Sequence, residues 1–262
     1  MSLTHTGSAF RIIEQNSRFV VIDKAPGISM HKDDREAGLA MLLEQQLGQK
    51  VWPVHRLDKM TSGLVVFALS AAVAAELSKA FAEQQVSKLY LALSDRKPSK
   101  KQGRIEGGMV RSRRSSWRLT RDSENFARTE FYSASLKPGL RAFLCRPYSG
   151  KTHQIRVALK SVGAPIIGDP IYHEKVADQA DHISPDPVHP DRISPDRISP
   201  DRVNTDRGYL HAWQLRFVLS GESFAFRADP ILGELFNLPE LAALLAADWS
   251  DPFSLRWHGV AN

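Results

Sequence analysis

Trp213–Leu219, WQLRFVL, and Ser223–Ala228, SFAFRA, stand on either side of the polar step Ser220-Gly221-Glu222. Aromatic and β-favouring residues crowd both runs, and a Ser-Gly step between two such runs marks a tight hairpin. Strands joined this way run antiparallel. Phe10–Asp23, FRIIEQNSRFVVID, repeats the pattern around an Asn-Ser turn, and Pro26-Gly27 ends its second run. Lys88–Leu93, KLYLAL, alternates with Leu89, Leu91 and Leu93 on one face and Tyr90 on the other. Further strands are expected over Ser115–Thr120, Arg128–Leu136 and Leu140–Pro147.

Helices interrupt these strands without strict alternation. Leu39, Leu42, Leu43 and Leu47 have helical spacing before a stop at Gly48. Ser70 is placed to cap a second helix, SAAVAAELSKAFAEQQ, whose stripe of Val73, Leu77, Ala80 and Phe81 is expected to be core rather than a binding surface. A third is predicted from Thr152 to Gly163 with Ile155 and Leu159 inward and Arg156 on the edge of the buried stripe. A last helical region, Ile231 to Ala247, is expected to break at Leu238-Pro239-Glu240. The pattern is that of an α+β fold, a mixed and largely antiparallel sheet with flanking helices. We read residues 1–262 as a single domain, with an insertion at about 174–207. There the unit ISPDR recurs, every repeat carries a proline, and apolar residues are too sparse for a core, so disorder is expected.

Apolar runs such as Gly63–Leu69 and Leu241–Ala247 fall far short of the roughly 20 residues of a membrane helix. The start, MSLTHTGSAFRIIEQ, lacks the basic and apolar blocks of a secretory signal, so a cytoplasmic protein is expected. Cys145 is alone, which excludes an internal disulfide and a CxxC site, and is expected to lie buried in a strand. The net charge of +6 favours a polyanionic partner. Ten Lys and Arg residues lie between Arg96 and Arg121 against one acid, Glu106. That density suits either a mobile basic loop along a phosphate backbone or a solvated charged hairpin.

The chemistry points to Val54–Leu64, VHRLDKMTSGL. Asp58 follows His55 and Arg56 and precedes a Thr-Ser-Gly turn into an apolar run, the strand-end position where reactive groups are presented. Its available roles are nucleophile, general base or ion-pair partner. The nine histidines form no HExxH and no His/Cys cluster, so no metal is expected. A phosphate loop and GxGxxG are both absent, so no nucleotide cofactor is expected, and Ser62 lacks a GxSxG elbow, which leaves a Ser62–His55 hydrolase with little support.

HRLDKMTSGL resembles the H-R-L-D-x-x-T-S-G-L signature of the RluA family of pseudouridine synthases, with eight fixed positions coinciding within ten. KLYLA at Lys88–Ala92, KTHQIRVAL at Lys151–Leu159, GDPIY at Gly168–Tyr172 and LHAWQLRF at Leu210–Phe217 are similar to later segments of that family, in its order. The opening VVIDKAPGISMH resembles its start. Lys151 stands where the family has Arg, and Ala158 where it usually has His.

The resemblance implies a pseudouridine-synthase-like catalytic domain, an isomerase that detaches uracil from ribose in RNA, turns it and rejoins it through carbon 5. It implies Asp58 as nucleophile or base, Tyr90 packing on the uracil and moving a proton, and Arg156 paired with the carboxylate. His55, Arg56, Thr61, Lys88, Lys151, His153 and Gln154 are the expected RNA contacts. The expected partner is structured RNA, ribosomal before transfer, bound by a monomer with no cofactor and no membrane. The alternative is a non-catalytic RNA-binding protein that retains the fold.

Overall fold

A computed structural model describes residues 8–31, 37–113, 115–173 and 205–257. The repeated ISPDR units lie outside the described residues, which resume at Thr205. Asp206 and Arg207, assigned above to the insertion, belong to the fold, and Arg207 is buried.

Among the described residues eleven strands form one sheet. They are β1 (Phe10–Gln15), β2 (Phe19–Lys24), β3 (Trp52–Pro53), β4 (Ser62–Ala68), β5 (Ser87–Ser94), β6 (Gln102–Arg111), β7 (Trp117–Thr120), β8 (Phe126–Lys137), β9 (Leu140–Pro147), β10 (Leu210–Leu219) and β11 (Glu222–Arg227). Their spatial order is β1-β2-β4-β10-β5-β9-β8-β6-β7, with β3 on β4 and β11 on β10. The β4–β10 pair is parallel and the others antiparallel, among them the two signalled hairpins β1–β2 and β10–β11. Ser220 and Gly221 both take positive φ, 51° and 81°, the conformation that matches a two-residue turn to the twist of β10 and β11.

The centre of the sheet is buried on both faces. In β2 and β4, Phe19, Val21, Leu64 and Val66 pack under helix α2 (Ala71–Ala82), whereas Val20, Ile22, Val65 and Phe67 pack under α1 (Leu39–Leu47). Period-two alternation thus sends successive residues into two cores. Helices α3 (Gln154–Ser161) and α4 (Pro239–Ala246) bury Ile155, Leu159, Leu241 and Leu245 with residues of β5, β8, β9 and β10, among them Cys145. Pro239 is the first residue of α4 and therefore starts the helix after a short 3-10 turn, Glu234–Asn237. Among the described residues no helix is long and apolar enough to cross a membrane.

The basic stretch is not a loop. Residues 102–111 and 117–120 form β6 and β7, an antiparallel hairpin at the edge of the sheet, with Val110 opposite Arg118 and Arg111 opposite Trp117. Glycines at 103, 107 and 108 masked this strand in the sequence, because glycine is a poor strand former unless backbones pass closely.

Candidate active site

Asp58 sits in the loop between β3 and β4, where the Thr61 amide donates to its backbone carbonyl at 3.0 Å and turns the chain into β4. Its carboxylate, 21% exposed, faces a cleft of about 510 Å³. The walls come from the 54–61 loop, α2, β5, the loop after β9 and the start of α3. All ten residues singled out above line this one cleft: Asp58, Tyr90, Arg156, His55, Arg56, Thr61, Lys88, Lys151, His153 and Gln154. Phe81 lines it too, so part of the α2 stripe expected to be pure core forms a wall.

Arg156 is more deeply placed than its sequence position suggested. It is 3% exposed, because α3 is buried from Gln154 through Leu159 rather than along a single stripe. Its Nη1 donates to Asp58 Oδ2 at 3.0 Å. Its stronger partner is Asp169, which accepts from Nε at 2.7 Å and from Nη2 at 2.8 Å in a two-point bond. Burial works against the guanidinium charge, but the Asp169 bonds and the Asp58 carboxylate outweigh it and hold the group above its usual value. Asp169 is in turn fixed by its own turn, since its Oδ1 accepts from the amides of Ile171 and Tyr172 at 2.9 and 3.1 Å.

Asp169 is the site residue that sequence reasoning missed. It lies within the GDPIY segment, and an Asp-Pro step reads locally as a turn. Only the return of that turn beneath α3 makes it the counter-ion of Arg156. The guanidinium also lies 5.1 Å from the centre of the Tyr172 ring, whose hydroxyl accepts from the Trp117 amide at 2.7 Å and bonds His153 Nδ1 at 2.9 Å.

The helix begins at Gln154, two residues later than expected, because His153 takes a left-handed φ of 57°. The Gln154 side chain is spent on local structure. Its Nε2 donates to the Arg128 carbonyl and to Thr129 Oγ1, both at 2.9 Å, while Oε1 accepts from Ser149 Oγ at 2.8 Å and Lys151 N at 3.0 Å. It ties the loop after β9 to β8.

His55 has a similar task. Its Nε2 accepts from the Val66 amide at 3.0 Å, its ring stacks on Phe81 at 4.4 Å, and burial together with Lys88 pushes its pKa down to about 3. It is a neutral wall of the cleft. Ser62 pairs not with His55 but with His211 Nδ1 at 2.7 Å, and also accepts from Arg207 at 2.6 Å, in a buried cluster.

The cleft is basic at its rim. Arg56 is exposed, Lys151 is half-buried, and burial lowers the Lys88 pKa to about 8. Tyr90 lines the same cleft, and burial, reinforced by the Asp58 charge, raises its pKa, so its phenol keeps its proton. Lys24, fully buried, donates to the carbonyls of Ala25 and Ile28 at 2.9 Å and of Lys59 at 3.3 Å, which ties the 25–28 turn to the loop carrying Asp58. No group of His, Cys, Asp and Glu among the described residues is arranged to hold a metal ion.

Residues 18–161 match the family model for RNA pseudouridylate synthase. The chain belongs to the RNA pseudouridylate synthase family. The matched span includes Asp58, Tyr90 and Arg156 but ends before Asp169. An uncharacterized RNA pseudouridine synthase of Haemophilus influenzae is 41% identical over 243 residues, 92% of this chain and 97% of that protein. The tRNA pseudouridine synthase C of Vibrio vulnificus is 32% identical over 182 residues, 60% of this chain and 71% of that one. The solved structure of human RNA pseudouridylate synthase domain containing 1 shares the fold, with a TM-score of 0.67 at 22% identity over 92% of this chain and 90% of that one. Enzymes of this synthase family are isomerases, and the mixed sheet described above is their fold.

Proposed function

We propose that this chain, as one catalytic domain acting as a monomer in the cytoplasm, converts uridines in structured RNA to pseudouridine through Asp58. The observation that carries this reading is a carboxylate presented to a basic cleft by an arginine that is itself locked from behind by Asp169. The two-point bond fixes the guanidinium, so its remaining Nη1 orients Asp58 without reorganisation during reaction. Asp58 then acts as nucleophile or base while the bond from ribose to N1 of uracil is broken, the base is rejoined through carbon 5, the proton on carbon 5 leaves to solvent and N1 gains a proton in its place.

Tyr90 offers a ring to stack on the extruded uracil and a neutral hydroxyl as donor, since burial disfavours the phenolate. The uridine must leave its stack to enter the cleft, and Arg56, Lys88 and Lys151 are the cations available to its flanking phosphates. Thr61, His55, His153 and Gln154 shape the walls. The chemistry of these side chains needs no cofactor. Ribosomal RNA is the first substrate class to test, and transfer RNA, the class in the Vibrio relative's name, the second.

The test is release of tritium from RNA labelled at carbon 5 of uridine, with ribosomal and transfer RNA assayed separately. Wild-type protein should release tritium from one pool, and Asp58→Asn should bind that RNA yet release none. Turnover by Asp58→Asn would refute the proposed role of the carboxylate. RNA binding by the wild type with no release from either pool would favour a binding protein that keeps the fold.

A further inference from the structure

Among the described residues five large apolar side chains are exposed, Met41, Phe126, Val218, Ile231 and Leu232, and Phe126 alone is aromatic and lines the cleft. Isolated exposed apolar residues are ordinary. Phe126 differs in how it is held. It opens β8 opposite Gly108 of β6, and the chain just before it is folded tightly over a glycine pair. A Cβ at Gly107 would lie 2.5 Å from the Thr120 carbonyl oxygen, and one at Gly108 would lie 2.6 Å from the Asp122 and 2.8 Å from the Glu124 carbonyl oxygens. Any larger residue there would push residues 120–124 away.

Asn125 takes a left-handed φ of 51° and is pinned to β6 from both sides. Its Nδ2 donates to the Met109 carbonyl at 2.8 Å, and the Met109 amide donates to its carbonyl at 3.2 Å. On the other side Ala127 is buried with Val157 and Tyr172, and Gln154 holds Arg128 and Thr129. The backbone on both sides is thus fixed, while the Phe126 side chain, 45% exposed, remains uncovered at the cleft.

We infer that Phe126 is a stacking platform for the base of a nucleotide flanking the target uridine. This inference rests on the synthase reading, which places RNA in the cleft. Cations of the cleft, Arg56, Lys88 and Lys151, suit a phosphate backbone, and an aromatic face beside them suits an unstacked base. Once the uridine is extruded, its neighbour loses a stacking partner, and an exposed ring on a fixed backbone can replace it. Such a ring tolerates any base, so it supplies grip on unpaired RNA rather than a sequence code.

The test compares the full chain with Phe126→Ala and Phe126→Trp in two assays. The first is tritium release on the RNA pool that the wild type modifies. The second, independent of turnover, is binding of a single-stranded oligouridylate at several salt concentrations. Loss of one stacked base corresponds to a roughly ten- to hundred-fold weakening. Phe126→Ala should show it in oligouridylate affinity and in KM more than in kcat, and Phe126→Trp should restore both. The slope of log affinity against log salt should be the same for wild type and Phe126→Ala, because stacking on a ring displaces no counterion.

Equal affinity of Phe126→Ala and wild type overturns the inference. So does equal impairment of the Ala and Trp variants, a shallower salt slope in Phe126→Ala, or no oligouridylate binding by the wild type. Absence of tritium release by the wild type defeats the synthase reading instead, and the binding assay still decides the role of Phe126.

Discussion

The Asp58–Arg156–Asp169 centre and the β6–β7 edge both carry dense charge, and they hold it in opposite ways. At the centre Arg156 and Asp169 are almost completely buried, and the guanidinium is matched with partners on other elements. At the edge Arg104, Arg111, Arg118 and Arg121 are exposed, and Arg104 has a nearby acid in Glu106 at 3.2 Å. A buried pair loses several kcal/mol when one partner is removed, whereas exposed pairs contribute about 0–1 kcal/mol. Under the proposed function, changes at the centre should therefore affect folding and turnover together, and changes at the exposed edge should affect RNA binding alone. Trp117 joins the two regions, since its amide donates to the Tyr172 hydroxyl beside Arg156.

The largest effect expected is on turnover at the centre. Asp58→Asn keeps the shape of a side chain that is partly exposed to the cleft, so stability should change little while tritium release is abolished. Arg156→Met should break the comparison from the other side. It strands the Asp169 carboxylate in the interior and should cost about 3–5 kcal/mol in denaturant unfolding. An Arg156→Met protein as stable as wild type would show that the buried pair is no strut for the fold.

At the edge, Arg111→Gln combined with Arg118→Gln should leave stability unchanged within about 0.5 kcal/mol. RNA affinity should weaken, and the slope of log affinity against log salt should fall by about one for each phosphate that is no longer neutralised. An unchanged salt slope would remove β6 and β7 from the RNA-binding surface.

The smallest effect expected is a pH dependence from the buried histidines. Burial pushes both His55 and His211 down to about 3, below the ordinary 6.5. Between those values the unfolded chain binds protons that the folded chain does not. Their contribution to stability is present above about pH 6.5 and is lost as pH falls toward 3. His211 bonds Ser62 and the Ala228 carbonyl, so His211→Gln should lower the melting temperature at pH 7.5. Its melting temperature should then drop less than that of the wild type between pH 7.5 and pH 5. A parallel drop in both proteins would assign the acid sensitivity elsewhere.

Local sequence determined much of this molecule. The β10–β11 hairpin, the Ser70 cap, which accepts from Val73 N at 3.3 Å, and the alternation along β5 are set by neighbours a few residues apart. Their spacing is legible without tertiary information. The candidate Asp58 was legible as well, because an acid before a turn into an apolar strand is a local pattern, and its HRLD context resembles a known signature. The cleft itself was not. Asp58, Tyr90 and Arg156 come from a loop, β5 and α3, and nothing within a few residues of any of them says that they meet.

The burial of Arg156 was hidden for the same reason, since a helix can be read for one buried face but not for a second covered by a returning chain. Asp169 looked like a turn residue until that return placed it under the guanidinium. The β6 strand was obscured by glycines whose purpose is close approach to residues 120–124. In each case the amino-acid order set what depends on short-range geometry, and the tertiary structure alone decided which distant charges were taken out of water together. Pairing energy exists only when both partners are brought into the same interior.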